Sequence, residues 1–221
     1  MTRDHERHQT GFRRNIRLRD GSFFLMRLLS LSDLFSIHRM YSSLSTESKS
    51  FFHPVFLQPK LRLSWLLDET LLVASCVPFV RILLMKMFPR AVYLSLIVLN
   101  SQQEAVAFTS YKLRKRLAGD GYEAESGTIV KDDYQGRGLG SELVRHRIDF
   151  AYANRIGRVR SWVYADNLKM IRLSQKLKFQ KIGLVQRRNP QTGKLYSAWE
   201  MILHLDQPKN TSVKQEGNIG E

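Results

Sequence analysis

The sequence predicts one α/β (α+β) domain, a mixed central sheet flanked by helices, on three observations. From residue 123 onward, β-rich runs alternate with runs of helical period. A glycine-rich turn, Gln135-Gly136-Arg137-Gly138-Leu139-Gly140, joins a strand to a helix. Of the 221 residues, 43% are hydrophobic and 25% charged, a balance that buries one core.

The elements follow in order. Residues 1–13 read as a mobile basic arm and 206–221 as a disordered polar tail, which leaves 14–205 as the domain. Asn15–Arg19 and Phe23–Leu28 are strands around the Asp20-Gly21-Ser22 turn. Ser32 suits an N-cap and Asp33 the first turn of a helix reaching Leu44, with Leu34, Ile37, Tyr41 and Leu44 on one face. Leu61–Met87 reads as one or two helices broken near Pro78, because proline lacks the N–H and clashes with the preceding turn. This extra segment, about 60–88, is apolar nearly all round, so it is buried, covers a pocket, or meets a partner or a membrane surface. Val92–Leu99 and Ala105–Tyr111 form a hairpin, Lys112–Asp120 a basic exposed connection, and Glu123–Val130 a further strand. Ser141–Asn154 is helical, with Leu143, Val144, Ile148, Ala151 and Tyr152 on one face and Gly157 as a stop. Val159–Tyr164 is a strand, and Asp166 or Asn167 caps a helix to about Lys178. Phe179–Val185 and Tyr196–Leu205 are strands around a turn at Pro190 and Gly193.

Charge narrows the partners. The net charge is +15, and Lys131–Lys194 alone holds fifteen basic and five acidic residues. Such a balance suits an anionic partner, either nucleic acid or a multiply phosphorylated small molecule. The single cysteine, Cys76, excludes an internal disulfide and a Cys-based metal cluster, and no metal is expected. Met1–Thr10 is polar and charged, unlike a secretory leader, and the longest uncharged run near residue 70, Thr70–Val80, falls well short of the ~20 residues of a bilayer span. A cytoplasmic location is the expectation.

The turn carries the chemistry. A glycine-rich link between strand and helix leaves several backbone N–H groups pointing outward, at the positive end of the helix dipole. That is an anion site suited to a diphosphate, and Arg137 adds charge. The spacing of Gly136, Gly138 and Gly140 is neither a dinucleotide fingerprint nor a P-loop.

Gln-Gly-Arg-Gly-Leu-Gly after Asp132-Asp133-Tyr134, behind a strand ending in Ile129-Val130, resembles the acetyl-CoA motif of GNAT acetyltransferases. Asn167, with Phe179 twelve residues later, resembles the family's closing helix and strand, and Asp20 to Ser48 resembles its opening strands and first helix. The resemblance spans about 14–205 and is weakest at 60–90. It implies acetyl-CoA as co-substrate and a primary amine as acceptor, small molecule or protein. It implies Ile129 and Val130 as main-chain contacts of the pantetheine arm, and the run Gln135, Gly136, Arg137, Gly138, Leu139, Gly140 and Ser141 as the diphosphate cradle. Asn167 would reach the pantetheine, and Arg137 or Arg172 the 3′-phosphate. Glu125, on the strand where relatives carry a glutamate, is the candidate proton acceptor, with an ion pair as its bland alternative.

Two residues depart from the pattern. The tyrosine that serves relatives as general acid is Ser174 here, and the glycine before the phenylalanine is Lys178. Serine is a far weaker acid than phenol, so the acid is another residue, such as Tyr164 or Tyr196, or the thiolate leaves unassisted. Cys76, His38 and His53 read as structural; Phe51-Phe52-His53-Pro54 is a packed corner or an acceptor wall. The alternative function is a basic RNA- or ribosome-associated or regulatory protein on the same scaffold. Nucleic acid is disfavoured, because the charge gathers at the glycine motif.

Overall fold

The computed structural model describes residues 12–51, 63–87, 92–116, 121–188 and 193–205. The residues before Phe12, the tail from 206, Phe52-His53-Pro54 and the turn at Pro190 lie outside the described residues. Eight strands form one sheet: β1 Arg13–Arg17, β2 Phe23–Leu28, β3 Tyr93–Leu99, β4 Ala105–Arg116, β5 Tyr122–Val130, β6 Ile156–Tyr164, β7 Gln180–Arg188 and β8 Leu195–His204. Their order is β1-β2-β3-β4-β5-β6-β8-β7. All neighbours are antiparallel except β5 and β6. A parallel pair needs a crossover, and the helix Leu139–Ala153 supplies it.

Helices cover both faces. Four helices stand between β2 and β3: α1 (Leu34–Ser42), α2 (Thr46–Phe51), α3 (Leu63–Cys76) and α4 (Pro78–Met87). α1 and α3 lie on one side, whereas Leu84 of α4 packs against the cluster of the other. Ile37, Met40 and Tyr41 of α1 and Leu72 and Cys76 of α3 close a cluster over Ile97, Phe108 and Ile129. On the other side α5 (Leu139–Ala153) and α6 (Leu168–Lys176) cover a second cluster with Leu96, Val106, Ala124 and Val159. The apolar segment breaks where proline requires, with Pro78 as the first residue of α4, a position where its missing N–H costs nothing. Phe79, Leu83 and Met87 of α4 are exposed. No helix among the described residues is long and apolar enough to cross a membrane.

Several expectations shift. Phe12 and Arg13, read as part of the arm, belong to the domain: Arg13 opens β1, and the buried Phe12 ring meets Phe150 edge-on at 4.9 Å. The cap of the first helical segment is Ser30 rather than Ser32. Its amide donates to Asp33 Oδ2 at 2.8 Å, and Arg27 clamps the same carboxylate at 2.6 and 2.7 Å. Lys112–Arg116 continues β4 instead of starting a connection; Tyr111 and Leu113 are buried, Arg114 is exposed, and Lys112 lies over the Tyr93 ring. Gly157 sits inside β6, and α5 ends at Asn154, whose side-chain amide donates to Phe150 O. The buried stripe of α5 is Leu139, Leu143, Val144, Arg147, Phe150 and Ala151, so it takes in an arginine and leaves Tyr152 at 40% exposure.

Candidate functional site

β5 and β6 pair only from Tyr122↔Ile156 to Glu125↔Arg160. Beyond that point β5 stays with β4 and β6 with β8, and the two strands part. Ser126 Oγ and Ser161 Oγ share a hydrogen bond of 2.6 Å at the fork. The gap opens into a cleft of about 700 Å³ bounded by Ser126–Val130, Ser161–Tyr164, the turn at Gln135 and Gly136, and the start of α6.

Backbone direction along β5 follows from two bonds. Tyr122 N donates to Arg155 O at 2.7 Å on the β6 side, and Lys131 N donates to Val106 O at 2.8 Å on the β4 side. Strand alternation then turns the amides and carbonyls of Ser126, Thr128 and Val130 toward the gap. Ile129 points its backbone at β4 and its side chain into the cluster under α1 and α3, while still touching the cleft wall. Thr128, absent from the sequence reading, therefore stands beside Val130 as a gap-facing position.

At the open end lies the glycine turn. Gly136 has φ 73° and Gly138 φ 91°, left-handed values that favour glycine. A Cβ at Gly138 would meet nothing within 4 Å, so the requirement there is the dihedral, not space. Gly138 is the N-cap of α5 and its carbonyl takes the amides of Ser141 and Glu142 at 3.0 and 3.2 Å. Ser141, expected to close the cradle, thus spends its amide inside the helix. Among the described residues no acceptor engages the amides of Gly136, Arg137 or Gly138. They and the first turn of a fifteen-residue helix form an electropositive rim above Val130.

The side chains of the turn are tied down. Gln135 Nε2 donates to Val130 O at 2.9 Å and to Ser48 Oγ at 3.1 Å. Asp132 accepts from Ser48 Oγ and, at 2.6 Å, from Ser45 N, which fastens α2 over the cleft. Burial works against the charge of Asp132, but the Ser48 and Ser45 hydrogen bonds outweigh it and hold the carboxyl below the usual range. Arg137 points outward instead: its Nη2 lies 2.6 Å from Asp20 Oδ2 and 2.7 Å from Ser22 Oγ, on the β1–β2 turn. Hydrogen bonds from Ser22 and Arg137 hold the Asp20 carboxyl far below its ordinary value.

The remaining candidates divide. Asn167 lines the cleft and caps α6, its Oδ1 accepting from Met170 N at 3.1 Å. Tyr164 lines it too, stacked on Tyr196 at 3.9 Å and edge-on to Phe51 at 5.5 Å. Ser174 is buried on α6 and its carbonyl serves the Phe179 amide. Glu125 sits one residue below the fork, outside the cleft wall, paired with Arg114 through Nε at 2.9 Å. Cys76 is buried and burial raises its thiol to about 11, a packing role. No cluster of His, Cys, Asp and Glu suited to a metal occurs among the described residues.

Residues 63–179, which contain the strand fork and the glycine turn, match the model of the Acetyltransferase (GNAT) family. The chain belongs to the GNAT acetyltransferase family. No curated protein matches it in sequence. Solved structures share the GNAT fold. The GNAT domain of S. lividans PAT is 24% identical, covering 87% of this chain and 97% of that one at a TM-score of 0.57. Ribosomal-protein-S5-alanine acetyltransferase from Vibrio fischeri is 15% identical, with 87% and 97% covered and a TM-score of 0.61. Spermidine N-acetyltransferase from Vibrio cholerae, in complex with CoA and spermine, is 17% identical, with 82% and 95% covered and a TM-score of 0.56. In this GNAT domain the fork, the turn and α2 together define the cleft.

Proposed function

We propose that the protein transfers an acetyl group from acetyl-CoA to a primary amine. The observation that carries this reading is the gap between β5 and β6 beyond Glu125 and Arg160, opening directly under the amides of Gly136–Gly138. A diphosphate suits those amides, an extended amide-bearing arm suits the gap-facing groups of Thr128 and Val130, and Asn167 flanks the same path. The chain's contribution is then positioning: the thioester is held at the fork, where an amine attacks its carbonyl carbon and the thiolate departs. Glu125 is the proposed proton acceptor, and Tyr164, in the cleft wall, is the proposed acid in place of Ser174. The +15 charge leaves the amine acceptor open.

Calorimetry with CoA tests this. Wild type should bind CoA in the micromolar range, and Gly138→Trp should abolish binding while leaving the circular dichroism spectrum intact. Absence of binding by wild type at millimolar CoA refutes the reading.

A further inference from the structure

Strand alternation sorts the side chains at the fork between the two sides of the sheet. Ala124 of β5 and Val159 and Val163 of β6 belong to the cluster under α5 and α6, and Ile129 to the one under α1 and α3. Glu125, Arg160, Trp162 and Tyr164 therefore share the side of Ile129, and the pairings of β8 and β7 add Glu200 and Arg187 to it. No residue of β6, β7 or β8 belongs to the cluster under α1 and α3. The amide rim stands at the start of α5, on the opposite side. A donor held by that rim leaves the Trp162 side of the fork to the amine.

Two unmet groups stand together there. Trp162 lines the cleft, one residue and about 3 Å along β6 from Ser161, and its Nε1 is buried without a hydrogen-bond partner. Arg187 is half-buried with its guanidinium 4.4 Å from the centre of the Trp162 ring, and no carboxylate among the described residues pairs with it. The carboxylates of this side are already held by other arginines: Glu125 by Arg114, Glu123 by Arg158 and Arg160, and Glu200 by Arg160. Glu47 and Asp166 also border the cleft, but both are exposed, Glu47 beside Ser48 at the turn end and Asp166 beyond the end of β6. An anion at Trp162 would satisfy the indole N–H and gain charge-assisted hydrogen bonds from Arg187. A second ammonium group would gain neither. It would also meet two guanidinium groups, since Arg160 lies 5.9 Å from the same ring centre.

We infer that Trp162 and Arg187 form an anion subsite for the acceptor, and that the acceptor is a small amine carrying its own carboxylate or phosphate rather than a polyamine. The inference rests on the acyl-CoA reading of the cleft and extends it to the second substrate. Trp162 Nε1 and the Arg187 guanidinium take the acid group, and the amine of the same molecule reaches the thioester at the fork. The amine nitrogen bonds to the thioester carbonyl carbon, the C–S bond breaks with its electron pair on sulfur, and the amine proton passes to a base. The acid group is carried unchanged into the amide product.

The experiment follows thiol release from acetyl-CoA with amines matched except for the acid: L-methionine against L-methioninamide, phosphoethanolamine against ethanolamine, and spermidine as the polycation. The first pair reports a carboxylate, the second a phosphate. Wild type should use one acid about ten-fold or more better in kcat/KM than its neutral match, the worth of one hydrogen bond to a charged group. Arg187→Gln should raise KM for that acid about ten-fold with kcat nearly unchanged, and Trp162→Phe, which keeps a ring and removes the N–H, should raise it less. Thermal melting checks that both variants fold, and the wild-type comparison needs neither. Equal use of the two members of each pair, a preference for spermidine, or an acid preference that survives Arg187→Gln overturns the inference. Absence of turnover with all five amines also overturns it. Calorimetry with CoA then separates the two readings: CoA bound by wild type leaves the acyl-CoA cleft standing, and CoA unbound refutes the cleft as well.

Discussion

Ser126 and Ser161 touch hydroxyl to hydroxyl at 2.6 Å, at the last point where β5 and β6 are still neighbours. Both are buried, so each hydroxyl depends on the other. Removing one strands its partner in the core, which costs about 1–3 kcal/mol. Ser161→Ala should lower the urea midpoint accordingly, and Ser126→Ala/Ser161→Ala should be less destabilised than the two single losses added together. Strict additivity in that double-mutant cycle would deny that the pair holds the base of the fork.

Lys178 offers a stability gain. It follows α6 with φ 70°, its amide donates to Gln175 O, and the next amide, of Phe179, donates to Ser174 O. That is a helix ending through a left-handed residue, a place where glycine is the usual occupant. A side chain there carries about 1–2 kcal/mol of strain, of which glycine's greater freedom when unfolded returns part. Lys178→Gly should therefore raise stability by about 0.5–1 kcal/mol, seen as a higher melting temperature; a lower one would show that the lysine side chain makes a contact worth more than the strain.

The same position marks how far the sequence could be read. Lys178 was recognisable as a departure from a glycine pattern, and the turn at Gly136 and Gly138 was legible because left-handed dihedrals leave glycine in the sequence. Pro78 was legible for an equally local reason. Residues whose roles depend on partners far along the chain were not. Arg147 is the clearest case: a helical face drawn from apolar residues alone passes over an arginine and takes in Tyr152, yet the arginine is buried because Thr109, Tyr111 and Thr128 of β4 and β5 receive it. The strand through Lys112–Arg116 was hidden likewise, since Lys112 lies over the Tyr93 ring and Arg114 pairs with Glu125 across β4 and β5. The sequence shows Arg137 only as a charge beside the glycines, and the structure brings Asp20 to it.

Asp33 links stability to pH. Its side chain is 8% exposed and is held bidentately by Arg27, with a further bond from Ser30 N. Burial pushes its carboxyl up, but Arg27 and Ser30 pull it further down, so the folded value lies below the ordinary one. A depressed carboxyl stabilises the fold fully above the unfolded pKa of ~3.9, and that contribution fades as pH falls through the lower folded value. Asp33→Asn should cost about 3 kcal/mol at pH 7, toward the lower end for breaking a buried pair. The gap between wild type and variant should hold from pH 7 to about 5 and shrink in more acid solution. A gap that stayed constant to pH 3 would mean the pair contributes nothing through its charge.

The acid and the base of the proposed transfer can be separated by kinetics. Ser174, the position where the family resemblance implies a tyrosine acid, is buried on α6 with its carbonyl given to Phe179, outside the cleft wall. Tyr164 takes the opposite place: it stands in the wall, braced by Tyr196 behind it and Phe51 beside it. If Tyr164 protonates the departing thiolate, Tyr164→Phe should reduce kcat by about 10²-fold with KM nearly unchanged, and the alkaline limb of the pH–rate profile should vanish. Tyr196→Phe keeps the stack and should reduce kcat far less. Glu125 is harder to place, because Arg114 already holds its carboxylate at the foot of the fork. As the proton acceptor it must be reached through water, and Glu125→Gln should lower kcat at neutral pH by a similar factor while shifting the acid limb. Unchanged rates in both Tyr164→Phe and Glu125→Gln would leave positioning by the fork and the turn as the whole of the catalysis, with solvent taking and giving the protons.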